Sequence, residues 1–337
     1  MSWPTKPLGE VISFIRGITF KPEDQVAPMT DGSVVVMRTK NVQIEGLDES
    51  DLISVPASFV KRAEQSLDEG DILLSSANSW GLVGKASYVG QLRYEATAGG
   101  FISIVRARKQ FIDPRYLYHW ITSPSSQHKI RHCGRQTTNI SNLDVDRFKG
   151  LDIPLPPLEE QKRIATILDK ADAIRSKRQQ AIQLADEFLR AVFLDMFGDP
   201  VTNPKGWDVK PLSAGIRSIS SGWSASGENR PCSDGEKGVL KISAVTSGVF
   251  KPEENKTVPL DQIPDGKKLL FPKRGDLLFS RANTRELVAA SCIVMTDVED
   301  VFLPDKLWLI ETDQKKFLPE FLNYLLWQPR FKERLTS

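Results

Sequence analysis

Hydrophobic and polar positions change rhythm several times along the chain. The apolar runs SVVVMRT (33–39) and GVLKISAV (238–245) are rich in β-branched residues and bounded by turn formers, which predicts strands. GDILLS (70–75) and GDLLFS (275–280) predict a Gly-Asp turn feeding a buried strand. GGFISIVRA (99–107) and KLWLIET (306–312) predict further strands. PRYLYHWITS (114–123) and PEFLNYLLWQ (319–328) put proline in a first helical turn and repeat apolar residues at helical spacing. Strand and helix patterns occur side by side, so the expected fold class is α+β.

One stretch departs from this alternation. IPLPPLEEQ begins at residue 153 with Pro154, Pro156 and Pro157, which hold the backbone extended. From 158 to 197 there is no proline or glycine, and Glu159 and Glu160 occupy the first turn, where acids favour the helix dipole. Ile164, Ile167, Ala171, Ile174, Ala181, Ala185, Phe188 and Val192 recur mostly in steps of three and four, a coiled-coil-type seam interrupted by Arg178. Gly198 and Pro200 end the run. The rod would be roughly 57 Å long. It needs a partner for its apolar seam, and its small residues would let a second helix approach closely.

The chain also repeats itself. WPTKPL (3–8) returns as WDVKPL (207–212), EGDILLSSANSWGLVGKASYV (69–89) as RGDLLFSRANTRELVAASCIV (274–294), and DPRYLYHWITSP (113–124) as LPEFLNYLLWQP (318–329). The offset is 204 at the first block and 205 at the other two. Such a period is a duplicated domain, because solenoid units are only about 20–50 residues long. The expected organisation is one mixed α/β copy over 1–150, a proline-rich lead-in with a spacer helix over 151–200, and a second copy over 201–337. The matched blocks are scaffold; the divergent stretches are free to read different things.

Composition narrows the class. The 337 residues are 40% apolar and 26% charged, as in ordered globular proteins. No apolar run reaches the roughly 20 residues a membrane span needs, and the first residues lack a signal-peptide core. Cys133, Cys232 and Cys292 are scattered, which suits a reducing cytoplasm. The net charge is only +2, but between Arg106 and Lys149 nine basic residues face three acidic ones. Two similar readers on a rigid spacer suit a periodic ligand such as duplex DNA, whose half-sites lie about one turn, roughly 34 Å, apart.

The run RQTTNISNLDVDRFKGLDIPLPPLEEQKRIATILDKADAI (135–174), with the repeated GDILLS block and the tandem layout, resembles type I restriction–modification specificity (S) subunits over the whole chain. That resemblance implies two target recognition domains that read a bipartite sequence in double-stranded DNA. It also implies docking of two methyltransferase (M) subunits, with restriction (R) subunits added. S-adenosylmethionine would then belong to the M subunits, and ATP and Mg to the R subunits. The chain itself would be non-catalytic and without a cofactor of its own. The second copy stops at Ser337, which aligns with His132, so it lacks its own proline-rich run and helix. Self-association through the spacer, or instability without M, is therefore expected. Alternatives are an S-like subunit of a two-chain type II system and a truncated, dimerising adaptor.

The residues agree with a non-enzymatic reading. There is no N-P-P-[YF] and no G-x-x-x-x-G-K-[ST] phosphate loop. Asp265 and Asp305 follow prolines but lack a suitably spaced Glu-x-Lys, and His128, His132 and Cys133 lack an evident fourth metal ligand. The Gly-Asp turn accounts for Asp71 and Asp276. Candidate DNA contacts are Ser75, Ser76, Asn78 and Trp80 in the first copy and Ser280, Arg281, Asn283 and Arg285 in the second. The exchanges Ser76 to Arg281 and Trp80 to Arg285 are what two different target sequences would require, since arginine suits guanine and asparagine suits adenine. Arg131, Arg135, Gln136, Thr137, Thr138 and Asn139 form a polar loop that could touch phosphate or tie the domain to the helix.

Overall fold

A computed structural model describes residues 3–44, 46–136, 141–284 and 287–336. The chain forms two compact units, Met1–Gln179 and Gln180–Ser337.

In the first unit a four-stranded antiparallel sheet runs in the order Ile12–Arg16, Ile102–Ala107, Ile72–Ser75, Ala86–Tyr88. Ile104 faces both Ile15 and Leu73 in its register. A three-stranded sheet places Ser33–Met37 between Ala96–Ala98, parallel to it, and Ser54–Pro56, antiparallel. The second unit repeats both arrangements. Ile216–Ser221, Leu307–Thr312, Leu277–Ser280 and Ser291–Ile293 make the four-stranded sheet. Lys237–Leu240 lies between Val301–Phe302, parallel, and Asn255–Val258, antiparallel. The sequence repeat is thus a repeat of topology. The structure contains both helices and sheets, as the alternation of patterns predicts.

The Gly-Asp turns explain themselves. Gly70 and Gly275 adopt φ values of 99° and 91°, a region that favours glycine. The next residue turns its carboxylate back on the loop: the Asp68 N–H donates to Asp71 Oδ2 at 2.8 Å, and the Lys273 N–H to Asp276 Oδ2 at 2.7 Å. The strand that follows is buried along Ile72–Ser75, which is why it reads as an unbroken apolar run.

Two predicted strands are shorter than expected. Residues 238–245 are not one strand: Lys237–Leu240 is followed by a 3₁₀ turn at Ile242–Ala244. Pairing fades where Leu240 meets Asn255, the first residue of its neighbour; Lys241 N–H makes one further bond across, to Glu254 O, and the following groups bond locally, as Val245 N–H does to Ile242 O. The strand after Gly99 starts only at Ile102, because Ile102 N–H bonds back to Gly99 O in a tight turn.

The helix spans Leu158–Phe197, the run free of proline and glycine. Its lead-in belongs to the first unit. Asp152–Pro154 pairs antiparallel with Thr5–Pro7, and Ile153 and Ala165 are buried in that unit's core beside Leu8, Ile112 and Leu117. Further along, Asp169 accepts from Arg115 Nε at 3.1 Å and lies 2.7 Å from His119 Nε2. Burial pushes the Asp169 carboxyl up, but the Arg115 and His119 hydrogen bonds outweigh it and hold the group below its ordinary range. At the other end Phe193 and Phe197 pack against Phe321, at ring separations of 5.7 and 5.1 Å. Gly198, at φ 79°, closes the helix.

Residues 173–191 are exposed throughout. Of the predicted seam, Ile164 and Val192 are half-buried near the anchored ends, while Ile167, Ala171, Ile174, Ala181, Ala185 and Phe188 face solvent. An unpaired seam forgoes roughly 1.5–3 kcal/mol for each large apolar side chain it leaves in water. The central amides should therefore exchange with deuterium much faster than those of 158–165 in the isolated chain, and slow when a helical partner binds. Equal protection along the whole helix in a monomer would contradict this.

The repeated Asp sits in opposite electrostatic settings. Asp71 is buried and takes a two-pronged pair from Arg106, with 2.7 Å from Nε to Oδ1 and 2.7 Å from Nη2 to Oδ2. In the second unit the place of Arg106 is taken by Glu311. Burial pushes the Asp276 carboxyl above its ordinary range; the Lys273 N–H opposes that shift and Glu311 adds to it. A raised carboxyl pKa in the folded state costs stability as pH rises through it. Asp71→Asn should therefore destabilise the first unit by about 1.5–3 kcal/mol at neutral pH, the worth of a hydrogen bond to a charged group, while Asp276→Asn leaves the second unchanged or slightly firmer. Denaturant unfolding followed by hydrogen exchange in each unit checks both.

Candidate nucleic-acid interface

The candidate contacts follow the ends of the two equivalent buried strands. Ser75 and Ser280 are the last residues of those strands and are fully buried. They cannot reach a ligand, and this corrects the expectation for both. Ser75 Oγ instead accepts from Asn78 Nδ2 at 3.2 Å. Ser280 Oγ is buried without a hydrogen-bond partner among the described residues. The strands they end are covered on both faces, with Leu74 and Leu278 buried as fully as the serines, so no alternation brings Ser75 or Ser280 to the surface.

Beyond Ser75 the first unit forms a small three-stranded sheet. Ala77–Asn78 pairs with Ser141–Leu143, which pairs with Gly134–Gln136. The two sequence clusters, Ser76 to Trp80 and Arg131 to Gln136, are therefore neighbours. Ser76 donates from both N–H and Oγ to Phe101 O, at 2.9 and 3.1 Å. Asn78 Oδ1 accepts from Ser79 N–H at 2.8 Å. Trp80 stands edge-on to His132 at 5.5 Å, and His132 lies 4.3 Å from His128 on the same helix, Pro124–His132. Gly84, at φ 84°, lets the loop close on that helix: a Cβ there would come within 2.6 Å of Ile130 Cγ2. Arg131 is half-buried, with its Nε enclosed. Thr137, Thr138 and Asn139 lie outside the described residues, as does Arg285.

In the second unit Arg281 lies along the exposed strand end. Its Nε donates to Asp305 O at 2.8 Å, and its Nη2 lies 3.3 Å from Asp305 Oδ2. The Ser224 hydroxyl donates to the same carboxylate and, with Arg281 and Lys306 near, holds it below its ordinary range. Asp305 is thus a holder for Arg281, and the pair is exposed enough to be worth only about 0–1 kcal/mol. Asn283 Oδ1 accepts from Thr284 N–H at 2.8 Å, as Asn78 does from its neighbour. Ala289 keeps the left-handed turn of Gly84, at φ 63°.

Phe101 and Lys306 were missed by sequence reasoning. They stand at the repeat offset, and the Arg281 N–H donates to Lys306 O as the Ser76 N–H does to Phe101 O. Phe101 is 62% exposed although aromatic. The available signal was an aromatic-to-cation exchange at an equivalent position, the same logic that singled out Ser76 and Arg281.

Each unit therefore offers an equivalent strand end with different chemistry: hydroxyl and aromatic groups in one, guanidinium and ammonium in the other. Comparison with known proteins gives this arrangement its class. The described fold aligns over the whole chain with the crystal structure of a type I restriction–modification S subunit from M. genitalium, at 15% identity and a TM-score of 0.53, covering 80% of that chain. Residues 2–184, more than half of the chain, match the profile of the type I restriction modification DNA specificity domain, and the chain belongs to that family. It is 26% identical over 335 residues to the type I restriction enzyme StySPI specificity subunit of Salmonella potsdam, which covers 96% of this chain and 71% of that one. It is also 26% identical over 353 residues to the EcoKI specificity subunit of Escherichia coli K12, covering 99% and 73%.

If Arg281 reads a base, Arg281→Ala should relax sequence choice at one part of the target by about 1–3 kcal/mol, with the other part unchanged. Uniform weakening on all duplexes, with a shallower salt dependence, would make it a phosphate contact. Competition binding against a randomised duplex library distinguishes the two.

Proposed function

We propose that this chain is the DNA-recognition subunit of a type I restriction–modification complex, and that each of its two units reads one part of a bipartite duplex target. The observation that carries the reading is the pairing of identical topology with different side chains at equivalent strand ends, Ser76 and Phe101 against Arg281 and Lys306. A shared scaffold presents unlike groups, as two half-sites of unlike sequence demand. The proposed base-reading set is Ser76, Asn78, Trp80 and Phe101 in one unit, with Arg281, Asn283, Arg285 and Lys306 in the other. Residues 131–139 supply phosphate contacts beside the first set.

The exposed seam of the long helix is the proposed dock for methyltransferase subunits, which carry S-adenosylmethionine, with ATP- and Mg-dependent restriction subunits joining them. This chain contributes recognition and spacing and no chemistry of its own. Among the described residues no helix is long and apolar enough to cross a membrane, and the proposed site of action is the cytoplasm. The bare seam also favours a second reading, in which two copies pair through residues 167–188 and the dimer acts as an adaptor.

Co-expression with the cognate methyltransferase subunit, in cells free of other adenine methylation, tests both. Genome-wide mapping of N6-methyladenine should return a split motif with a fixed gap. A palindromic motif would favour the paired-copy reading, and absence of methylation beside a competent methyltransferase would refute an active recognition subunit.

A further inference from the structure

The second unit carries an open cleft of about 350 Å³ beside its candidate strand end. Lys241, Lys256 and Lys306 line it together with Ser224 and Ser243, and no acidic residue does. Lys241 directly follows the strand Lys237–Leu240, and Lys256 faces Val239 from the neighbouring strand Asn255–Val258. The antiparallel pairing therefore brings both lysines to one end of that sheet. The cleft shares a rim with Arg281: Asp305, which accepts from Arg281 Nε, also accepts from the Ser224 hydroxyl.

None of the three lysines forms an ion pair among the described residues. By contrast Lys237, at the far end of the same strand, pairs with Asp300 at 2.7 Å. Two acids adjoin the cleft, and other groups hold them. Asp305 is taken by Ser224 and Arg281, and Glu254 Oε2 accepts from Ser243 Oγ at 2.8 Å. Three ammonium groups around one opening repel each other and draw in an anion.

The internal repeat shows that the scaffold does not demand this cluster. Val301–Phe302 runs parallel to Gly238–Val239 as Ala96–Thr97 runs to Val35–Val36. Arg38 thus stands where Lys241 does, and it is already engaged: its Nη2 donates to Asp51 O at 2.9 Å and lies 3.3 Å from Asp51 Oδ1. Ile53, whose carbonyl accepts from Val36 N–H, takes the place of Lys256, and Phe101 that of Lys306. The lysine cleft belongs to the chemistry of the second copy and not to the fold that the copies share.

We infer that this cleft seats a backbone phosphate of the duplex, next to the base pairs that Arg281 addresses, with Lys241 and Lys256 as its contacts. The inference rests on the reading of this chain as a DNA-recognition subunit. An ammonium on a flexible stem meets a phosphate as a point charge and carries no sequence information, unlike the planar fork of Arg281. The seat would fix the register of the second unit on its part of the target. The first unit, with Arg38 neutralised, would have no equivalent hold at that place.

The test uses the full chain with its methyltransferase subunit and the double variant Lys241→Ala/Lys256→Ala. Duplex affinity is measured against salt, on the target and on random sequence. The variant should bind both more weakly by the same factor, with the slope of log Kd against log salt shallower by about one for each lysine removed. Lys241→Arg/Lys256→Arg keeps both charges and should keep the slope. Replacing duplex phosphates one at a time by uncharged methylphosphonates should weaken the unchanged protein at the seated position and leave the alanine variant indifferent there. Should the double variant lose its native circular dichroism, Lys256→Ala alone, at an exposed position, gives the same readout with a loss of about one. An unchanged slope overturns the inference and leaves the recognition reading intact. Weakening confined to the target, with altered sequence choice, overturns it in favour of base contacts. An unchanged protein that binds target and random duplex equally overturns the recognition reading, while a shallower variant slope on both still upholds the phosphate seat.

Discussion

The carboxamide of Gln161 is almost fully buried, and it satisfies three backbone groups at once: the Asp113 N–H, the Phe111 carbonyl and the Pro156 carbonyl at 2.8 Å. These groups belong to the loop ahead of a helix and to the end of the proline-rich lead-in, and none of them lies within a strand. Losing the amide would leave buried polar groups without partners, each worth about 1–3 kcal/mol. Because Gln161 lies in the first turns of the long helix, the same bonds fix where that helix leaves the first unit. The strand pair between Thr5–Pro7 and Asp152–Pro154 closes the unit by joining its beginning to its end. The proline-rich lead-in is part of the domain, and the helix grows out of a finished core.

Duplication has kept the parts that the backbone demands and released the rest. Both copies retain the glycine turn, the aspartate that caps it and the order of every strand in the two main sheets. Arg106 against Asp71 became Glu311 beside Asp276, so one unit gains an ion pair where the other tolerates two acids. The turn survives because the aspartate's bond to a backbone N–H does not depend on the partner charge. Ala289 likewise keeps a left-handed turn that Gly84 adopts without cost, at a penalty of roughly 1–2 kcal/mol. A retained shape with altered chemistry at the strand ends is what the proposed reading of two different sequences requires.

The fold puts apolar surface where a lone chain has no use for it. The central helix carries Ile174, Ile182, Phe188 and Leu189 into solvent. Such a stripe is costly in water and cheap in a complex, which is the physical signature of a subunit. Membership of the specificity family is consistent with the proposed roles of the stripe and the two strand ends.

Much was legible from sequence alone, and for local reasons. Helix length follows from a run free of proline and glycine, ended by Gly198. The Gly-Asp turns follow from glycine's left-handed freedom. The duplicated architecture follows from blocks at a constant offset. Apolar periodicity marked the helix seam because solvent never had to be consulted. The tertiary structure decided what depends on distant neighbours. Ser75 and Ser280 are enclosed because the strands they end are packed over on both faces. Residues 238–245 broke after Leu240 because pairing with the neighbouring strand fades there. Ile153 and Ala165 proved to be core, Ile153 through its pairing with the chain's beginning, and Gln161 was buried by its bonds to the 111–113 loop. Phe101 lies beside the candidate strand end through its carbonyl's bonds to Ser76. Sequence spacing reports the backbone's own preferences, whereas which side of a strand faces water is settled only when the sheets pack.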